Sequence, residues 1–266
     1  DYFYPYPIQG VPLQDTLDFI KYGRGFEKIE DWRRDNVDQL IEMVSVTIKQ
    51  TKPHVKFGIS PFGVWRNREK DPRGSDTRAS VGSYDDLYAD VLKWMRMEWI
   101  DYVIPQLYWS LSFEVANHEK LLYWWSGNTF GKHLYIGHAA HKVGNNKDEA
   151  WLDAEEIPKQ IRLNRRNFSS LGSAYFSAQR ILENPLGLRD SINYYYKYPA
   201  LLPEISELSL KSYAQPSMGK PRFRKNAVKL TLSPNKVNKD QPPAYYVIYR
   251  FEGAKPGDFE DPRNIV

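Results

Sequence analysis

The sequence predicts a parallel α/β fold, from helix-like and strand-like stretches that alternate four times and from two strand-like runs that break abruptly into Pro, aromatic and amide residues. Those runs are Phe57-Gly58-Ile59-Ser60-Pro61-Phe62-Gly63-Val64-Trp65-Arg66-Asn67 and Trp99-Ile100-Asp101-Tyr102-Val103-Ile104-Pro105-Gln106-Leu107-Tyr108-Trp109. A buried parallel strand reads this way when it surfaces into a polar, aromatic-lined cleft, and that lining suits a sugar.

The elements follow in order. Val37, Leu40, Ile41, Val44 and Ile48 recur at helical spacing and predict a helix over Asp31–Gln50, feeding a strand at Val55–Ser60. Ser83, with Asp86 three residues on, reads as the cap of a second helix running to Met97, ahead of a strand at Tyr102–Leu107. A third helix at Glu119–Trp125 precedes the strand His133–Gly137, and a fourth at Ala154–Asn167 precedes Gly172–Ser177. Past Pro203, the runs Leu208–Leu210, Ala227–Leu232 and Tyr245–Arg250 lie between turn-rich segments and read as a small β-sandwich over 206–266. That span is short of the ~100 residues of a complete sandwich.

Composition narrows the function classes. The 266 residues are 41% hydrophobic and 26% charged, ordinary for a globular chain, whereas eight Trp and nineteen Tyr are many. A net charge of +4 with no long basic block argues against nucleic acid as a partner. The absence of cysteine removes disulfides, thiolate metal sites and a Cys nucleophile, and fits export without requiring it. No apolar run reaches about 18 residues and no signal peptide opens the sequence, so neither a membrane span nor an address is expected within it. Phosphate-binding Gly loops, Gly-x-Ser-x-Gly elbows and dinucleotide fingerprints do not occur.

Together with Asp1-Tyr2-Phe3-Tyr4-Pro5-Tyr6-Pro7 and Leu134-Tyr135-Ile136-Gly137, the two runs resemble the glycosyl-hydrolase-like family ten of bacteria, over about residues 1–205. The resemblance implies a (β/α)8 TIM barrel of which this chain carries the later half, from the end of strand four, followed by a segment resembling fibronectin type III. Isolated, such a half would leave parallel strand edges open, so its N-terminal half is expected from the parent chain or another chain.

In such a barrel the reacting groups sit at the C-terminal ends of strands. The resemblance makes Asp1 the acid/base carboxylate, its family pattern placing a second Asp immediately before it, with Tyr2 and Tyr4 beside the substrate. Ser60, Trp65, Arg66 and Asn67 follow the next strand; Trp65 is expected to stack on a sugar ring and Arg66 and Asn67 to bond its polar groups. Gln106, Tyr108 and Trp109 end the strand after that, and no carboxylate accompanies them there or at the two later strand ends. Two neighbouring Asp and a Tyr two strands on resemble enzymes in which the substrate's own N-acetyl group is the nucleophile, so Tyr108 is taken as catalytic. Asp101 stands at the opposite end of its strand and is expected to cap or pair there.

Of the His-x-x-His pair, His138 is expected to contact sugar and His141 to lie on the surface, with no metal and no cofactor. The loop Asp71–Asp76 is read as a mobile rim. The expected activity is hydrolysis of N-acetylated bacterial cell-wall glycan outside the cytoplasm. A non-catalytic carbohydrate-binding protein and a cell-envelope assembly module are the rival readings.

Overall fold

The computed structural model describes residues 13–203, 216–225, 227–233, 246–253 and 255–266. The chain divides into two units, Asp1–Tyr196 and Lys197–Val266. In the first, helices α1 (Thr16–Tyr22) and α2 (Ile29–Thr51) lead into strand β1 (Gly58–Ile59). Then come α3 (Val91–Arg96), β2 (Tyr102–Val103), α4 (His118–Ser126), β3 (His133–His138), α5 (Glu156–Arg166), β4 (Ser170–Tyr175), α6 (Ala178–Glu183) and α7 (Leu188–Tyr195). The four strands form one sheet in the order β1-β2-β3-β4, every pair parallel. This is the arrangement that consecutive strands take in part of a TIM-barrel-like fold.

Two prolines explain why β1 and β2 end earlier than their apolar runs. Pro61 and Pro105 have no N–H to give to a ladder. Their carbonyls still accept, from Gln106 N at 2.9 Å and Gly137 N at 3.0 Å, so pairing resumes as isolated parallel bridges Phe62 to Gln106 and Gln106 to Gly137. At the opposite end, Asp101 pairs as its position suggests. Its carboxylate accepts from Phe57 N at 2.7 Å, and its own N–H and C=O reach Phe57 O (2.7 Å) and His133 N (3.2 Å), which ties three strands together.

The sheet has two unlike faces, set by the period-two alternation of side chains. Ile59, Val103, Leu107, Leu134 and Ile136 are buried on the face that joins the main core with Val37 and Ile41 of α2, Leu92, Trp94 and Met95 of α3, and Leu121, Leu122 and Trp125 of α4. The alternate positions Gly58, Tyr102, His133 and Tyr135 are half-buried. Asp38 of α2 locks two helices together, accepting from the Trp94 indole at 2.5 Å and Lys93 Nζ at 2.7 Å. Asn117 caps α4, its Oδ1 accepting from Glu119 N at 2.9 Å and Lys120 N at 3.1 Å.

One expected helix is corrected. Only Val91–Arg96 of the stretch from Ser83 to Met97 is α-helical, and its cap is Asp90, which accepts from Lys93 N at 3.2 Å. Residues 83 and 84 instead give their N–H groups to Val64 O and Trp65 O, and Tyr88 adopts φ +53°, where a helix cannot continue. Tertiary bonds to the preceding loop override local propensity here.

In the second unit, β5 (Ser217–Met218) pairs antiparallel with β8 (Leu232–Ser233), and β6 (Arg222–Arg224) with β7 (Ala227–Lys229). Leu208–Leu210 and Tyr245 lie outside the described residues. From Tyr246 to Arg250 the expected strand is reduced to one antiparallel bridge, Tyr249 to Ile265, beside a cluster of Tyr249, Phe251 and Phe259 rings. No helix among the described residues is long and apolar enough to cross a membrane.

Candidate functional site at the C-terminal ends of the strands

Asp1, Tyr2 and Tyr4 lie outside the described residues. The described strand ends carry Ser60 after β1 and Gln106, Tyr108 and Trp109 after β2. The Gln106 amide nitrogen donates to Ser60 O at 3.0 Å and approaches Ser60 Oγ at 3.4 Å, bridging β1 and β2 at the sheet's end. Trp109 meets Phe62 edge to face at 5.4 Å. This close approach depends on Gly63, where an added Cβ would come within 2.4 Å of Gln106 O and 2.7 Å of the Trp109 ring. Gly63 O also accepts the buried Trp125 indole N–H at 2.8 Å, so the backbone has little room to retreat. Gly63→Ala is therefore expected to cost about 2–3 kcal/mol in chemical denaturation, as overpacking against a fixed backbone does; a change below about 0.5 kcal/mol would show that the loop yields freely.

Tyr108 is half-buried and shares its surroundings with two rings beyond the other strand ends. His141 packs edge to face on it at 5.4 Å, and Phe176 lies nearly parallel to it at 6.2 Å. Burial pushes the Tyr108 phenol above its ordinary value, so it is protonated, and a donor, at neutral pH. After β3 a short 3-10 turn, Ala140–Lys142, reaches both ways across the sheet. His141 N donates to Phe176 O at 2.8 Å, and Lys142 Nζ donates to Tyr108 O at 2.5 Å. Burial pulls the Lys142 ammonium below the usual lysine range, against the charge of Asp148, which raises it.

Two expected sugar contacts are corrected by burial. Trp65 is 1% exposed, enclosed by Tyr84 at 5.5 Å, Trp124 stacked at 6.0 Å and the Arg73 guanidinium 5.3 Å from its ring centre. The turn at 82–84, hydrogen-bonded to Val64 and Trp65, closes over it, so its face is not offered to a ligand. His138 is wholly buried among polar partners described below.

Arg66 and Asn67 hold their own loop. Arg66 bonds Asp85 through Nε and Nη2, each at 2.9 Å, and Asp71 through Nη1 at 2.9 Å. Asn67 donates to Ala79 O at 2.8 Å and accepts from Ala79 N (3.0 Å) and Thr77 Oγ1 (2.8 Å). Arg73, wrapped around Asp71 and helped by Arg66, holds that carboxyl well below the usual range. With Ser75 and Thr77 buried, the segment expected as a mobile rim is instead a hydrogen-bonded extension of the strand-end loop.

Beneath the strand ends lies a buried polar row that the sequence did not disclose. Glu156, Gln160 and Asn164 recur every four residues on α5 and face the sheet beside Ile157 and Ile161. Gln160 Oε1 meets His138 Nδ1 at 2.9 Å, while Asn164 Nδ2 (2.9 Å) and Ser173 Oγ (3.1 Å) meet its Nε2. His138 thus donates from Nδ1 and accepts at Nε2. His118 stacks on it at 5.5 Å and faces two carbonyl oxygens, Leu107 O at 3.2 Å and Asn164 Oδ1 at 3.4 Å. Glu156 accepts from Leu111 N and Gln160 Nε2, both at 2.8 Å. Burial lowers His118 to about 4 and His138 to about 3, the latter also through His118, and it raises Glu156. These groups fasten β3 to α4 and α5 and so support the turn that carries His141 and Lys142.

Fold and strand ends together define a parallel α/β chain with amide and aromatic side chains, Gln106, Tyr108 and Trp109, after its second strand. A model of the family described as Glycosyl hydrolase-like 10 matches residues 1–153, more than half of the sequence. The chain belongs to that family. It is 46% identical over 260 residues to "Glycosyl hydrolase YngK" of Bacillus subtilis (strain 168), a match covering 96% of this chain and 51% of that protein. It is 44% identical over 171 residues to "Glycosyl hydrolase DigH" of Escherichia coli (strain K12), covering 62% of this chain and 38% of that protein. The chain therefore spans about half the length, or less, of these curated relatives.

Proposed function

We propose that this chain supplies the substrate-facing strand ends of a glycosidase acting on N-acetylated glycan strands of the bacterial cell wall. The observation that carries the reading is Tyr108, a donor just past β2 packed against His141 and Phe176, with Ser60, Gln106 and Trp109 rather than carboxylates at the described ends of β1 and β2. A site so furnished suits substrate assistance. The acetamide oxygen bonds to C1 as the glycosidic C1–O bond breaks, and the leaving oxygen takes its proton from Asp1 or the carboxylate the family pattern places before it. Water then adds at C1, releases the acetamide oxygen and returns a proton to that carboxylate. The other carboxylate orients the acetamide N–H, and Tyr108 donates to its oxygen.

In this reading Ser60, Gln106 and Trp109 line the sugar path, and a further four strands close the barrel from outside these residues. The glycan substrate places the protein outside the cytoplasm, and the second unit is part of a fibronectin type III-like sandwich. The test is digestion of peptide-free glycan strands by the full-length protein, beside the same strands after chemical removal of their N-acetyl groups. Oligosaccharide products from the acetylated strands alone are expected. Equal cleavage of both would refute substrate assistance, and retention of glycan without products would favour a binding module.

A further inference from the structure

Of the His-x-x-His pair at the end of β3, the one placed to meet a ligand is His141, which was expected to be a plain surface residue. His138 has every ring nitrogen occupied inside the protein. His141 crosses the end of the sheet, and its Nδ1 lies 3.1 Å from Phe176 O, the same carbonyl that accepts its backbone N–H at 2.8 Å. A carbonyl oxygen only accepts, so the ring proton is on Nδ1 and the neutral ring keeps its lone pair at Nε2. The ring is wedged between Tyr108 and Phe176, each 5.4 Å away and edge to face. Lys142, the next residue, grips Tyr108 O and fixes the turn from the other side. Phe176 is 57% exposed at the end of β4, an apolar ring presented to solvent beside a fixed acceptor. An apolar plate with a hydrogen-bond acceptor at its edge matches a sugar, whose ring has an apolar C–H face and a rim of hydroxyl donors.

We propose that His141 Nε2 accepts a hydrogen bond from a hydroxyl of a sugar unit seated against Phe176, making His141 a substrate-binding residue beside Tyr108. This rests on the glycan reading above and assigns part of its binding surface.

Two side-chain replacements separate this role from a structural one, because an Asn amide reproduces the Nδ1 position and a Gln amide the Nε2 position. With acetylated glycan strands and the full-length protein, His141→Ala and His141→Asn are expected to raise KM about tenfold, the worth of one hydrogen bond. His141→Gln is expected to stay within about threefold of the parent, with kcat little changed in all three. Rescue by Asn rather than Gln, or parental KM in every variant while the parent cleaves glycan, would overturn the proposal and leave the glycosidase reading intact. If all three variants lose activity together, 15N-histidine NMR of the full-length Asp1→Asn protein decides. The expected spectrum has the His141 proton on Nδ1, with a Nε2 signal that moves when a peptide-free cell-wall tetrasaccharide is added. A proton on Nε2, or a Nε2 signal indifferent to bound tetrasaccharide, would refute it. Failure of the parent to bind or cleave glycan would overturn both readings.

Discussion

Tyr108→Phe is expected to reduce kcat on acetylated glycan about 100-fold while leaving the folded protein as stable as its parent. The hydroxyl is the only part removed, and the ring contacts with His141 and Phe176 remain. In the proposed reaction the phenol holds the acetamide oxygen on line with C1, and loss of alignment of a reacting group by about 1 Å costs on the order of 100-fold. Because the bond to the acetamide strengthens as the oxygen attacks, the loss falls on kcat more than on KM. Steady-state kinetics beside thermal unfolding checks it. Unchanged turnover in a folded variant would remove Tyr108 from the chemistry.

The second large effect concerns acid. Burial holds His118 and His138 down to pKa values of about 4 and about 3 in the fold, against about 6.5 in an unfolded chain, so both are neutral at pH 7. Below pH 6.5 the unfolded state binds protons that the native state refuses, so stability is complete above that pH and is lost as pH falls toward 4. By pH 5 the loss is about 2 kcal/mol for each histidine. His118 takes the first proton, because both its nitrogens face carbonyl oxygens and a neutral ring donates to only one. Glu156 and Asp90, pushed up by burial, act in the opposite sense as pH falls and flatten the curve. Urea unfolding between pH 7.5 and 5 is expected to give a fall of about 4 kcal/mol, shrinking by about half in His118→Asn if that variant folds. A flat profile in the parent would mean that the pair is protonated or solvated in the native state.

The parallel α/β architecture was legible because amphipathic helices and short apolar runs alternate, a pattern that survives irregular strand lengths. Asp101 was legible for a similar reason, since a carboxylate at the start of a strand faces the N–H groups that neighbouring strands leave there. The misread site residues share one cause. Chemistry at a strand end says which residue types are present, but the face each occupies is set by register. For His138 the signal existed, since Leu134, Ile136 and His138 share one face by period two and the first two are plainly core. For Trp65 it did not, because the cover arrives from residues 82–84, whose bonds to Val64 and Trp65 replace the helix that propensity favours. His141 and Lys142 act through a turn whose reach to Phe176 and Tyr108 no local pattern encodes, and the Glu156, Gln160, Asn164 row reads as a solvated stripe until the histidines opposite it are known.

Hydrolysis of N-acetylated glycan through Asp1 is tested most directly by mass spectrometry of peptide-free cell-wall glycan incubated with the full-length protein and with its Asp1→Asn variant. Short N-acetylated oligosaccharides from the parent and none from the variant is the predicted result. Equal product from both, or none from a folded parent that still retains the glycan, would contradict it.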